Sequence, residues 1–179
     1  MGTTFAIDFV PVDAHGRSAA WNWRAVVATE QPDVFVGFGS TVTAPATGTV
    51  VIAHDGEDDH QARRSQLTLV AYMAGQAQRI RHGAGAIAGN HVVIALSDDG
   101  PFVLIAHLRK GSVCVAVGEV VESGEVLGQC GNSGNSTQPH VHVQVTDSTQ
   151  WSQAKGIPIV FKTPTGVELP LESQIILVT

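Results

Sequence analysis

Short runs in which apolar and polar residues alternate, or in which Val and Ile cluster, dominate the chain and predict β-strands. In the run 4–10, Phe5, Ile7 and Phe9 fall on one face of an extended strand, because successive side chains point to opposite sides. Similar runs, bounded by Gly, Pro, Asn or Asp, follow at 40–54, 90–96, 102–107, 113–117, 119–122, 125–127, 139–145, 156–161 and 167–169. This pattern predicts a mainly β fold of antiparallel sheets joined by short turns.

The stretch from 58 to about 81 has a different pattern, which predicts a helix. It contains no Pro and a single Gly, and its apolar residues recur near helical spacing. Asp58 or Asp59 would cap the N-terminus of this helix, and Gly83 would end it. We therefore expect one inserted helix around residues 59–81, with one apolar face packed on a sheet.

Length and composition fit one compact domain. A chain of 179 residues, of which 44% are hydrophobic, can bury a substantial core. No linker or array-type repeat divides it, so we expect a single domain over 1–179 with 58–83 as a helical insertion. The formal net charge of −6 and the absence of a large Lys/Arg cluster argue against a nucleic-acid surface.

The sequence as it stands carries no signal for membrane insertion or export. No stretch approaches the roughly 18 apolar residues of a transmembrane helix. The first residues include neither a basic segment nor an apolar segment followed by a cleavage site. Two cysteines, Cys114 and Cys130, are too few for a disulfide framework. They either pair with each other or remain free thiols.

Two histidines separated by one residue, His140 and His142, are the sharpest chemical feature. In a strand, residues two apart point to the same face, so both imidazoles would project side by side. A neutral imidazole nitrogen suits zinc, and a neighbouring imidazole can move a proton. The pair indicates a metal or proton-transfer site, but a two-residue motif alone is not specific.

The segments around this pair resemble the lysostaphin-type (LytM-like) zinc metalloendopeptidases. That family carries G-x-x-G-x-[ST]-x-x-P-H-[LV]-H after a V-x-x-G-x-x-[IL]-G lead, and the chain has VVESGEVLGQCGNSGNSTQPHVH at 120–142. Further similar segments are APATGTVV at 44–51, GNHVVI at 89–94 and IAHL at 105–108. The resemblance implies a barrel-like or sandwich arrangement of antiparallel sheets, a duplicated hybrid motif, with the site in a groove on one sheet face.

The resemblance also implies a role for four residues. Asp8 and His142 correspond to zinc ligands, and His140 and His107 correspond to catalytic histidines. His140 would take a proton from the attacking water, and His107 would help to hold the developing oxyanion. The remaining histidines match no motif and are expected to be surface or local hydrogen-bonding residues: His15, His54, His60, His82 and His91.

A third zinc ligand is missing from the pattern. Thr4 stands where the common HxxxD form of the motif has its His, and a more distant His would fall before Met1. A chain that begins inside the motif, a member that has lost activity, or a substitute ligand such as His15 would each account for this. With two ligands, zinc binding is expected to be weak or absent.

The function implied by the resemblance is zinc-dependent hydrolysis of the peptide cross-links of peptidoglycan, in the cell envelope or outside the cell. The alternative is a non-catalytic module of the same fold that binds the cell wall or activates an amidase. Sugar-phosphotransferase and biotinyl carrier domains share the V-x-x-G-x-x-[IL]-G lead. The carrier domains fit less well because Lys110 lacks the flanking residues of a carrier tip. The phosphotransferase domains could use His107 and His140, but the P-H-V-H form and the Asp8 strand resemble the peptidases more. Peptidoglycan peptides are therefore the expected partners, and the bond that is cut and the oligomeric state stay open.

Overall fold

A computed structural model describes residues 3–64, 87–163 and 166–176 of the chain. In these ranges ten short strands make up most of the regular structure, and a four-residue α-helix, α1, spans Arg24–Val27. The strands are β1 Ile7–Phe9, β2 Thr41–Thr43, β3 Gly48–His54, β4 Asn90–Ala95, β5 Phe102–Leu108, β6 Val120–Val121, β7 Val126–Gln129, β8 Val141–Thr146, β9 Phe161–Thr163 and β10 Gly166–Glu168. Single 3-10 turns lie at Thr3–Phe5 and Pro32–Val34.

All strand pairs are antiparallel, which confirms the predicted mainly β fold. Six strands form the main sheet in the order β1-β8-β5-β4-β3-β6, and β2 pairs with β7 in a separate two-stranded sheet. The strands β9 and β10 form a hairpin. Within the described ranges no helix is long and apolar enough to cross a membrane.

The core lies between the main sheet and the β2–β7 pair. One set of buried side chains from the main sheet meets Val42 of β2 and Leu127 of β7; it comprises Val50, Val92, Ile94, Val103, Ile105 and Val143. Because side chains alternate along each strand, the next residues point to the opposite face. There Val93, Leu104 and Ala106 form a smaller apolar cluster. This second face carries the candidate site.

The prediction that a helix begins at Asp58 or Asp59 is wrong. Residues 58–61 are irregular, and Ala62 forms an isolated antiparallel bridge with Glu30. The Asp59 carboxylate caps no helix; it accepts the backbone N–H groups of Lys110 (3.0 Å) and Asn132 (2.6 Å). The local spacing of apolar residues could not reveal these partners of Asp59, because both lie more than 50 residues away in the sequence. The rest of the predicted helix, from 65 to 81, lies outside the described residues, as does Gly83.

Two strand predictions need correction as well. The stretch 113–117 is not a strand; its backbone hydrogen-bonds irregularly, with the N–H of Val113 donated to the Asp55 carboxylate at 3.1 Å. The closing hairpin forms, but at 161–163 and 166–168 rather than 156–161 and 167–169. The two cysteines are both free, with Cys114 exposed and Cys130 buried.

Candidate functional site

The fold brings together the four residues that the sequence singled out. Asp8 in β1 lies directly opposite His142 in β8, although 134 residues separate them. His140 stands immediately before β8, and the ring centroid of His107, near the end of β5, lies 4.7 Å from that of His140 and 5.8 Å from that of His142. The strand order β1-β8-β5 thus assembles one cluster from three neighbouring strands.

Asp8 and His142 form the polar centre of the cluster. The His142 Nδ1 is 2.8 Å from Asp8 Oδ1, and its Nε2 is 3.2 Å from the Oε1 of Gln144, which is buried. The hydrogen bond with His142 is the main reason that the pKa of Asp8 is lowered. Burial lowers the pKa of His142, but the hydrogen bond and charge of Asp8, with the contact to Gln144, outweigh burial and raise it.

The ring of His140 is oriented by backbone and hydroxyl groups. Its Nδ1 lies 2.8 Å from the carbonyl oxygen of Gln138 and 3.0 Å from Ser136 Oγ. A carbonyl oxygen only accepts hydrogen bonds, so Nδ1 carries the proton and Nε2 of the neutral ring has a free electron pair. That Nε2 is 3.6 Å from Asp8 Oδ1. Burial is the main cause that lowers the pKa of His140, which favours this neutral form.

His107 is held in an unusual backbone conformation. Its φ of 63° lies in the left-handed region, which a residue with a side chain rarely adopts. The carbonyl of His107 accepts the N–H of Gly131 at 3.0 Å, and its ring Nδ1 donates to the carbonyl of Ser133 at 3.0 Å. Burial, followed by the neighbouring histidines, lowers the pKa of His107 to about 3. The loop that follows β7 therefore fixes both the backbone and the ring of this residue.

That loop is in turn anchored by close backbone contacts. A Cβ on Gly131 would lie 2.4 Å from backbone atoms of Arg109, so only glycine fits there. The buried Ser133 donates its hydroxyl to the carbonyl of Leu108 at 2.8 Å and accepts the N–H of Asn90 at 3.0 Å. His60 reaches the carbonyl of Gly134 with its Nε2 at 2.7 Å. Gly131 and the hydroxyl contacts of Ser133 thus hold the loop so that the Ser133 carbonyl accepts the hydrogen bond from the His107 ring.

Zinc is the metal that the sequence resemblance implies, and the donor set fits it only in part. Asp8 and His142 offer a carboxylate oxygen and an imidazole nitrogen, which zinc accepts. Their 2.8 Å separation is a direct hydrogen bond, shorter than the roughly 3.3 Å between two ligands of a tetrahedral zinc. In the part of the chain that the structure describes, His15 included, no group of three His, Cys, Asp or Glu residues is placed to hold a metal. Catalytic zinc needs three protein ligands, so this set is incomplete.

Sequence reasoning missed three residues next to the cluster. Gln144 follows His142 at the same-face spacing of a strand, and this spacing was the only signal for it. Ser133 lies within the motif, but nothing in the pattern indicated its contact with His107. Trp151, from the loop after β8, stands beside the smaller apolar cluster, and its indole ring lies 5.2 Å from the ring of His91.

Two of the histidines that match no motif have the following positions. His91 is buried, and its ring hydrogen-bonds locally to the carbonyl of Gly89 at 2.6 Å. His82 lies outside the described residues.

Comparison with known proteins adds a family match. The profile of peptidase family M23 matches residues 31–154, a range that includes the three site histidines and leaves out Asp8. Among solved structures, a mutant catalytic domain of the prophage-encoded M23 protein EnpA from Enterococcus faecalis is 19% identical (TM-score 0.46), with 69% of each chain covered. The catalytic domain of the antimicrobial peptidase lysostaphin from Staphylococcus simulans is 24% identical (TM-score 0.43), with 68% of this chain and 70% of that chain covered.

Proposed function

Because the chain belongs to peptidase family M23, we propose that it hydrolyses peptide cross-links of peptidoglycan, with His140 and His107 at the reacting bond. The observation that carries this proposal is the convergence of both histidines with Asp8 and His142 on one sheet face. Four polar groups gathered next to an apolar pocket support a reactive site more than a purely structural contact.

His140 is the residue that we assign to proton transfer. Its Nε2 is the free acceptor of the ring, so it can take a proton from an attacking water. The proton on Nδ1 stays hydrogen-bonded to the Gln138 carbonyl while Nε2 is charged. Asp8, whose Oδ1 is 3.6 Å from Nε2, stabilises the resulting imidazolium electrostatically.

We assign His107 a role that differs from the oxyanion contact expected from the sequence. Its Nδ1 proton is committed to the Ser133 carbonyl, so Nε2 of the neutral ring accepts hydrogen bonds and donates none. An oxyanion needs donors. We therefore propose that His107 accepts a hydrogen bond from the attacking water and orients it toward His140, whose ring centroid is 4.7 Å away.

Zinc, where bound, would act as a Lewis acid on the scissile carbonyl. We propose that Asp8 and His142 are two of its ligands and that they hold it weakly without a third. In calorimetric titration, we expect the chain to bind zinc with a dissociation constant in the micromolar range or weaker. Sites with all of their ligands bind zinc with a free energy of about 10–16 kcal/mol, and a missing ligand reduces it. His142→Ala should abolish this binding, and His15→Ala should leave it unchanged. A nanomolar one-to-one complex would show instead that the site is complete.

The direct test is hydrolysis of purified peptidoglycan in the presence of excess zinc. We expect new amino groups to appear as cross-links are cut, and their release to slow strongly in His140→Ala. Intact cross-links after prolonged incubation with saturating zinc would contradict the peptidase proposal.

A second function, binding of wall peptides without hydrolysis, is favoured by one observation. The two residues assigned to zinc, Asp8 and His142, are hydrogen-bonded to each other. Sedimentation with insoluble peptidoglycan distinguishes the two functions: a non-catalytic module should co-sediment with the wall and release no amino groups.

A further inference from the structure

A pocket opens beside His107 and His142 on the second face of the main sheet. Its apolar lining includes Leu104, Ala106 and Trp151. Ala106 is opposite His142 in the register of β5 and β8, so the pocket begins one strand away from the Asp8–His142 pair. A peptide bound at the histidines would therefore have this pocket beside it.

The lining contains both apolar and polar residues. Ala88 and Ile87 join Leu104, Ala106 and Trp151 among the apolar residues, and Ala88, Leu104 and Ala106 belong to one buried cluster. The polar residues are His107, His142, Gln144 and the exposed Thr3. Two of the lining residues, Ala88 and Ala106, have small side chains. The space beside the reacting groups thus suits a short apolar side chain, with its peptide backbone toward the histidines.

We propose that this pocket is a specificity subsite for an alanyl side chain next to the scissile bond. Peptidoglycan contains both glycine bridges and links through D-alanine, and the sequence pattern does not choose between them. Glycine has no side chain to bury and gains nothing from an apolar wall. One buried methyl group corresponds to roughly a fourfold gain in affinity. This inference rests on the proposed function in taking the ligand to be a peptide, and it assigns the chain to alanyl rather than glycyl links.

Peptide binding tests the subsite without requiring hydrolysis. The probes are acetyl-Gly-Gly-X-Gly-amide peptides with X as Gly, L-Ala or D-Ala, titrated into ¹⁵N-labelled protein and followed by NMR. We expect one alanyl peptide to bind four- to tenfold more tightly than the glycyl peptide and to shift the indole N–H signal of Trp151, assigned with Trp151→Phe. Equal or tighter binding of the glycyl peptide, or no binding of any peptide, would overturn the proposal.

Two pocket variants and one control test whether the preference arises in the pocket. Ala88→Leu fills the pocket and should remove the preference for the alanyl peptide. The control, Ala116→Leu, makes the same change on an exposed turn and should keep the preference. Trp151→Ala removes a wall of the pocket and should also reduce the preference, which gives a second reading if Ala88→Leu folds poorly. A preference retained in both pocket variants would overturn the assignment. Failure here leaves the hydrolysis assay unaffected, so the subsite and the peptidase activity are judged separately.

Discussion

Replacing His140 by Ala should lower the rate of peptidoglycan hydrolysis by a factor of about 10²–10⁴, the usual contribution of a positioned proton acceptor. The reason is geometric: Nε2 of His140 is the free acceptor of a ring whose other nitrogen is committed to Gln138. The change deletes this acceptor but leaves Asp8 and His142 hydrogen-bonded to each other. Zinc binding should therefore change little, while the rate falls. Initial rates of amino-group release, measured at equal zinc occupancy, check this expectation.

The matched control is His15→Ala, which removes an exposed imidazole from the loop after β1. The backbone N–H of His15 donates a hydrogen bond to the Asp13 carboxylate, and the substitution by Ala keeps this N–H. We expect the wild-type rate in this variant. If His140→Ala also hydrolysed at the wild-type rate, another group would have to accept the proton, and the assignment to His140 would be wrong.

The largest loss of stability is expected from Glu30→Ala, at about 3 kcal/mol. The Glu30 side chain is 2% exposed and accepts two hydrogen bonds from Arg64, at 2.6 and 2.7 Å, and one from Asn22 at 2.8 Å. The Arg64 guanidinium also lies over the ring of Phe35, 5.2 Å from its centroid. Removing Glu30 leaves a mostly buried cation without its partner. Urea unfolding at pH 7 measures the change, and a loss under 1 kcal/mol would contradict it.

The same pair should make stability depend on acid pH. Its hydrogen bonds, first of all those from Arg64, lower the pKa of Glu30 below its ordinary 4.5. A carboxylate with a lowered folded-state pKa stabilises the protein above its unfolded-state pKa, and this contribution disappears as pH falls through the folded-state value. The difference in unfolding free energy between wild type and Glu30→Gln should thus be largest near pH 7 and shrink below about pH 4.5. A constant difference down to pH 3 would argue against it.

Strands were predictable where a short, largely apolar run lies between turn residues. β4 and β5 match the predicted runs to within one residue at their ends, because each is largely apolar and lies between turn residues. The stretch 113–117 has the same local pattern but is not a strand, since the Asp55 carboxylate takes up the N–H of Val113. Likewise β2 and β3 flank the expected turn but do not pair with each other; β2 pairs with β7.

In the candidate site, too, some features follow from the local sequence and others only from the tertiary structure. Local spacing places His140 beside His142 and puts Asp8 on one face of its strand, so these residue types and their motif are a property of the sequence. Their meeting depends on the pairing of β1 with β8, a contact between distant parts of the chain that no local pattern specifies. The ring protons of His107 and His140 are set by carbonyls of a folded loop. Residue identity and strand tendency arise from short-range physics, whereas donor and acceptor roles, pocket lining and the partners of Asp59 arise from contacts that exist only after the strands have packed.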